Sequence, residues 1–237
     1  MNFDRIVAIS TAYGTAAISL IRMSGEGVIE RFNDTFKGRN LTKAKSHTIH
    51  YGHILSQDQE IIDEVMVSIF RGPKSFTAED MVEVSTHGGI LVTQAVLERL
   101  LELGFRLAEP GEFSMRAYLN GRIDLVEAES IMDLIHAKSK QALKIANYGV
   151  NRDTSKLIHT LKDKLLTIIA QIEVNIDYPE YDDAIVMSKE IIEPKTRELI
   201  QEIDVILNES SKNQMIREGV KTVIVGKPNV GKSSILN

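Results

Sequence analysis

Residues 110–125 read Pro110-Gly-Glu-Phe-Ser-Met-Arg-Ala-Tyr-Leu-Asn-Gly-Arg-Ile-Asp-Leu125, and the chain changes character across them. Before this stretch apolar residues recur mostly with the period of two that marks strands. After it they recur at spacings of three and four, the period of helices. The stretch itself mixes turn residues, charges and apolar anchors, and its composition suggests a helical turn and linker. A mixed α+β domain over residues 1–117 and a helical domain over 118–217 are therefore expected.

Working upstream, residues 6–12 (IVAISTA) and 17–23 (AISLIRM) read as two strands around Gly14. Arg22 sits inside the second. It is either an edge charge pointing at solvent or a cation aimed into a site. A short helix over residues 28–33 follows, then strands over 47–55, 61–70 and 81–85. In the 47–55 strand, Ile49, Tyr51, His53 and Leu55 share one face. His47, His50 and His53 do not share a face, which argues against a metal site there. Within the 81–85 strand Glu83 points opposite to Val82 and Val84. His87 precedes a double glycine and is either a catalytic candidate or a turn histidine bonded to backbone. A helix over 90–103 has Leu91, Ala95, Leu97, Leu100 and Leu101 on its expected apolar side, with Gly104 as its stop. Residues 105–108 complete the strands.

Downstream, amphipathic patterns over 123–148, 152–177 and 188–217 predict three long helices that pack as a bundle. The acidic segment Tyr178–Asp183 reads as a solvated connection, and Ser188 as a helix cap. Some apolar face, on Leu161, Leu165, Ile168 and Ile172 or on Ile203 and Ile206, is expected to stay exposed.

The last eighteen residues read VKTVIVGKPNVGKSSILN, from Val220 to Asn237. An apolar run over 222–225 has strand character. Gly226 to Ser233 then matches G-x-x-x-x-G-K-[ST] in full. The glycines let successive N–H groups point at a β-phosphate. Lys232 adds a charge at the β/γ oxygens, Ser233 offers a hydroxyl to Mg²⁺, and a helix beginning at Ser233 adds its dipole. The nucleotide-binding set is Asn229, Val230, Gly231, Lys232, Ser233 and Ser234. A P-loop α/β domain is expected to start here.

Composition narrows the classes. The formal net charge of −5 argues against a wholesale nucleic-acid coat. The absence of cysteine removes disulfides, thiolate nucleophiles and thiolate-held metals. No apolar run is long enough to span a membrane, and the N-terminus does not read as a secretory signal. A soluble, cytoplasmic protein without membrane partners is expected.

Three stretches, Ser10–Gly25, Ser75–Gly89 and Pro110–Glu129, occur in this order ahead of helices and a P-loop. Together they resemble the MnmE (TrmE) family of tRNA modification GTPases over the whole chain. The resemblance implies an N-terminal domain like folate-binding aminomethyltransferases, which dimerises and binds a tetrahydrofolate derivative (5-formyl- or methylene-tetrahydrofolate). A helical domain carrying a GTPase domain would follow. With an MnmG-type flavoprotein in a heterotetramer, such proteins modify C5 of the wobble uridine of certain tRNAs, adding an aminomethyl or carboxymethylaminomethyl group.

By resemblance the folate-contacting positions are Arg22, Glu83 and Arg122. Asn229 would hold K⁺ and Ser233 Mg²⁺ beside GTP. Arg122 stands where many relatives have Lys, Ala12 where the family often has Pro, and Ala16 and Ala78 where it often has Gly. No D-x-x-G or N-K-x-D segment follows Ser233, so the chain is expected to be a truncated form without GTPase competence of its own, its catalytic switch residues unknown. The alternative reading is a non-catalytic folate-binding and dimerisation scaffold. A folate-dependent aminomethyltransferase of metabolism fits less well, because such an enzyme needs neither P-loop nor helical region.

Overall fold

The computed structural model of the chain describes residues 4–177, 189–218, 223–227, 231 and 234. Contacts divide the chain into two units, one up to Ala128 and one from Glu129.

The first unit is built on a sheet of seven strands: β1 (Ile6–Ile9), β2 (Ile18–Ser24), β3 (Phe36–Gly38), β4 (Thr48–Leu55), β5 (Ile61–Phe70), β6 (Met81–His87) and β7 (Arg106–Leu107). Their spatial order is β3-β4-β5-β6-β2-β1-β7. All neighbours are antiparallel except β1 and β7. Alternation decides which face is covered. On β5, Asp63, Val65, Val67 and Ile69 are buried while Glu64 and Met66 are exposed. On β2 and β6, Ile21, Met23, Val82 and Val84 face the core.

Helices α1 (Val28–Asn33) and α2 (Ile90–Glu102) close that core with Val28, Ile29, Phe32, Val96 and Leu100. The face of α2 that packs matches the expected one only in part, in Leu97 and Leu100. Thr93, Val96 and Leu100 are buried, whereas Leu91 is 82% exposed. Positions 93, 96 and 100 form one stripe at helical spacing, and Leu91 falls outside it. On β4 the buried positions are Gly52 and Ile54, which leaves Ile49 and Tyr51 exposed. Strand β3 and a 3-10 turn at Leu41–Lys43 were not apparent from the sequence.

The segment expected to be a helical turn and linker holds a full helix, α3 (Glu112–Leu119), with Glu112, Arg116 and Ala117 buried in the first unit. Burial of its charged residues is possible because each is paired, as described below.

In the helical region the pattern over 123–148 is broken into two helices, α4 (Leu125–His136) and α5 (Lys140–Val150). Ser139 makes the break: it has extended backbone geometry, and its hydroxyl accepts from the Ala142 N–H at 3.0 Å. Helices α6 (Asp153–Asp177) and α7 (Lys189–Glu218) follow. They are joined side by side by Lys164 and Glu202 at 2.6 Å, with Ile168 and Leu199 buried. The 178–183 segment and Ser188 lie outside the described residues.

Of the expected strand over 222–225, the described residues 223–225 carry no regular structure, and Val223 and Val225 are exposed. A strand that opens a P-loop is buried between neighbours of a parallel sheet, and no such neighbour is present among the described residues. Gly231 has φ 84°, and its carbonyl accepts from the Ser234 N–H at 3.0 Å.

Candidate functional site

Arg22 and Glu83 are 61 residues apart in sequence but directly opposite each other across the antiparallel β2–β6 ladder. Their flanking residues Ile21, Met23, Val82 and Val84 enter the core, so alternation sends both charges to the other face. Arg22 Nε donates to Glu83 Oε1 at 2.7 Å, and a terminal nitrogen of the same guanidinium lies 2.7 Å from the same oxygen. The side chains are 27% and 18% exposed. Both contacts fall on Oε1. Oε2 makes no hydrogen bond among the described residues and remains an acceptor for a bound molecule.

The loop from Arg71 to Asp80, between β5 and β6, brings Phe76 over this pair. The Phe76 ring centroid lies 5.3 Å from the Arg22 guanidinium carbon and 5.3 Å from that of Arg122. Phe113, on α3, lies 5.8 Å from the Arg22 guanidinium. Arg22 and Arg122 therefore share one aromatic ring, and Glu83 joins them through its contact with Arg22. Beside Arg122 an open cleft of about 350 Å³ is lined by His47, Phe70, Pro73, Lys74, Phe76 and Arg122, among others.

A buried polar network holds these parts in place. Arg116 is fully buried and reaches Glu112 at 2.9 Å, Asp4 at 3.0 Å and Glu79 at 3.3 Å. Glu79 also accepts from the Ser24 hydroxyl at 2.7 Å, which ties the end of β2 to the 71–80 loop. Arg106 bridges Asp4 and Glu112 from outside, at 2.6 Å each. Hydrogen bonds from Arg106 are the main cause that holds the carboxyls of both Asp4 and Glu112 at about 2. At the far end of α3, Asn120 Nδ2 donates to the Thr77 carbonyl at 2.7 Å. Asp124 and Glu127 then form a reciprocal cap: each backbone N–H donates to the other's carboxylate at 2.8 Å. Arg122 stands between these two anchors. Sequence reasoning missed Phe76, Phe113, Arg116 and Glu112 as parts of the site. The S/D-x-x-E capping signature at Asp124 was the available signal that the chain is ordered there.

His87 is not part of this cluster. Its backbone N–H donates to Asp63 Oδ2 at 2.8 Å, and its ring Nδ1 lies 2.6 Å from Asp63 Oδ1. The ring is 69% exposed over a carboxylate that is 7% exposed, and that hydrogen bond raises the imidazole above its ordinary range. The ring does not bond to backbone, as a turn histidine would; its partner is the buried carboxylate of Asp63. Gly88 beside it cannot carry a side chain, because a Cβ there would run into the Ala16 carbonyl. Of the nucleotide and metal set, Gly231 and Ser234 are described. Asn229, Val230, Lys232 and Ser233, with the K⁺ and Mg²⁺ roles, lie outside the described residues.

The fold and this cluster define a class: an α+β domain with a charged, aromatic-lined cluster on the sheet face opposite its core, followed by a helical domain. Residues 5–122 match the family described as GTP-binding protein TrmE N-terminus, and residues 125–233 match the MnmE helical domain. The chain is 65% identical over 237 residues to a protein of Acholeplasma laidlawii (strain PG-8A) named tRNA modification GTPase MnmE, covering all of this chain and 53% of that protein. It is 57% identical to one of the same name from Aster yellows witches'-broom phytoplasma (strain AYWB), and 53% identical to one from Bacillus cytotoxicus, covering 52% of each. The chain belongs to the MnmE family. It spans about half the length of the curated relatives it matches. Among the described residues no helix is long and apolar enough to cross a membrane.

Proposed function

We propose that this chain supplies the folate-holding and dimer-forming part of a GTP-dependent enzyme that modifies C5 of the wobble uridine in tRNA, acting with an MnmG-type flavoprotein. The observation that supports this best is the convergence of Arg22 and Arg122 on Phe76, with Glu83 paired to Arg22 through Oε1 and its Oε2 left open. The donor set suits a reduced pterin. A carboxylate accepts from the donor-rich ring, an aromatic side chain covers its face, and guanidiniums hold carbonyl or carboxylate oxygens by paired hydrogen bonds. When bound, the folate would supply the one-carbon unit. Arg22 holds Glu83 through Oε1 and leaves Oε2 toward the ligand; Phe76 and Phe113 limit water around the pair.

In this reading the P-loop that begins at Gly226 binds GTP, with Lys232 at the phosphates, Ser233 on Mg²⁺ and Asn229 on K⁺. The chain forms a homodimer through its α+β domain, and tRNA is the macromolecular substrate of the assembly. Calorimetric titration with 5-formyltetrahydrofolate tests the central part. Wild type is expected to bind one equivalent per chain, and Glu83→Ala to weaken binding by about ten-fold or more, the loss of a charge-assisted hydrogen bond. Unchanged affinity in Glu83→Ala would remove Glu83 from the site. Sedimentation equilibrium tests the dimer: a strict monomer at high concentration would reject it.

A further inference from the structure

The cleft beside Arg122 carries a charge pattern that the Arg22–Glu83 pair does not account for. His47, Lys74 and Arg122 place three basic side chains around it, and Phe70, Pro73 and Phe76 form an apolar wall. None of its lining residues is a carboxylate, in a chain whose formal net charge is −5. Lys74 is exposed, and among the described residues its ammonium makes no ion pair or hydrogen bond. A cation left unpaired beside an apolar wall favours an anionic ligand that brings its own hydrophobic segment. Phe76 is shared with the folate cluster, since its ring lies 5.3 Å from the guanidinium carbons of both Arg22 and Arg122. The cleft thus begins where the Arg22–Glu83 pair ends.

We propose that this cleft binds the acidic tail of the ligand, the γ-linked glutamates of a reduced folate, with the tail carboxylates paired to Lys74 and Arg122. The inference rests on the folate reading of Arg22 and Glu83 and adds to it a specificity for tail length. Each added glutamate brings one more carboxylate. Phe76 lies beneath the link between ring and tail, and Lys74 is the cation available to the outer carboxylates.

The test compares 5-formyltetrahydrofolate carrying one glutamate with the same compound carrying three, by calorimetry at low salt. The triglutamate is expected to bind wild type about five-fold tighter, the scale of one partly exposed ion pair. That advantage disappears in Lys74→Ala, survives in Lys74→Arg, and shrinks as salt screens the pairs. Equal affinity of wild type for both compounds overturns the proposal, as does a triglutamate preference that survives Lys74→Ala. Lys74-dependent binding of a short oligoribonucleotide, with no tail preference, reassigns the cleft to phosphates and also overturns it. Binding of neither folate is a different result: it rejects the Arg22–Glu83 reading itself, and the tail proposal falls with it.

Discussion

Arg116 shows how much of the α+β unit depends on single charged residues. A fully buried guanidinium survives because Glu112, Asp4 and Glu79 surround it. Arg106 completes the set, and its hydrogen bonds hold Asp4 and Glu112 at about 2 against ordinary values of 3.8 and 4.5. Because the folded values are depressed, these carboxylates contribute stability that is fully present above about pH 4.5 and is lost as pH falls toward 2. Arg106→Ala is expected to lower stability at pH 7 by about 1 kcal/mol and to flatten the loss below pH 4.5. Urea denaturation followed by far-ultraviolet circular dichroism at several pH values measures both effects, and an unchanged acid slope would contradict the assignment. At this scale the sequence was only partly readable. Arg22 between Ile21 and Met23, and Glu83 between Val82 and Val84, could be placed opposite the core by alternation. That they face each other could not be read from residues 61 apart; only the register of β2 on β6 decides it.

The elements that frame the site were legible to different degrees. The strands β2, β4, β5 and β6 follow from period-two alternation, which burial on one face enforces. Helix α3 was hidden because its buried residues are charged, and hydrophobic periodicity does not report a paired Glu112 or Arg116. The break at Ser139 was hidden because neither Gly nor Pro marks it; a hydroxyl cap suffices. The 71–80 loop carries the clearest local compromise. Ala78 has φ +61°, a region that favours glycine, at a position where the family resemblance leads one to expect Gly. Ala78→Gly is expected to relieve this strain and to stabilise the α+β unit by about 0.5–1 kcal/mol, after the entropic cost of glycine in the unfolded chain. A lower denaturation midpoint for the glycine variant would show that the loop tolerates Ala78 without strain.

At the scale of the whole molecule, the two units have different characters. The α+β unit buries an aliphatic core of Val, Ile, Leu, Met and Phe and carries the charged cluster on its open face. In the helical unit the long helices pack with Ile168 and Leu199 inside, while Leu165, Leu166 and Ile169 on α6 and Ile200, Val205 and Leu207 on α7 stay exposed. Of the positions expected to stay exposed, Leu165 and Ile203 do, Ile168 is buried, and Leu161, Ile172 and Ile206 are half-buried. The division into strand-rich and helical parts was legible from the change of period around Pro110–Leu125. The P-loop was legible as chemistry, but most of it lies outside the described residues, so the weight of the account falls on the α+β unit.

We propose that the Arg22–Glu83 pair, with Phe76 between Arg22 and Arg122, forms a reduced-folate site. A crystal structure of the chain grown with 5-formyltetrahydrofolate tests it most directly. The account expects the pterin against Phe76 with its donors on Glu83 Oε2 and the tail running past Arg122. A pterin bound elsewhere on the molecule, with Glu83 still held only by Arg22, would contradict it.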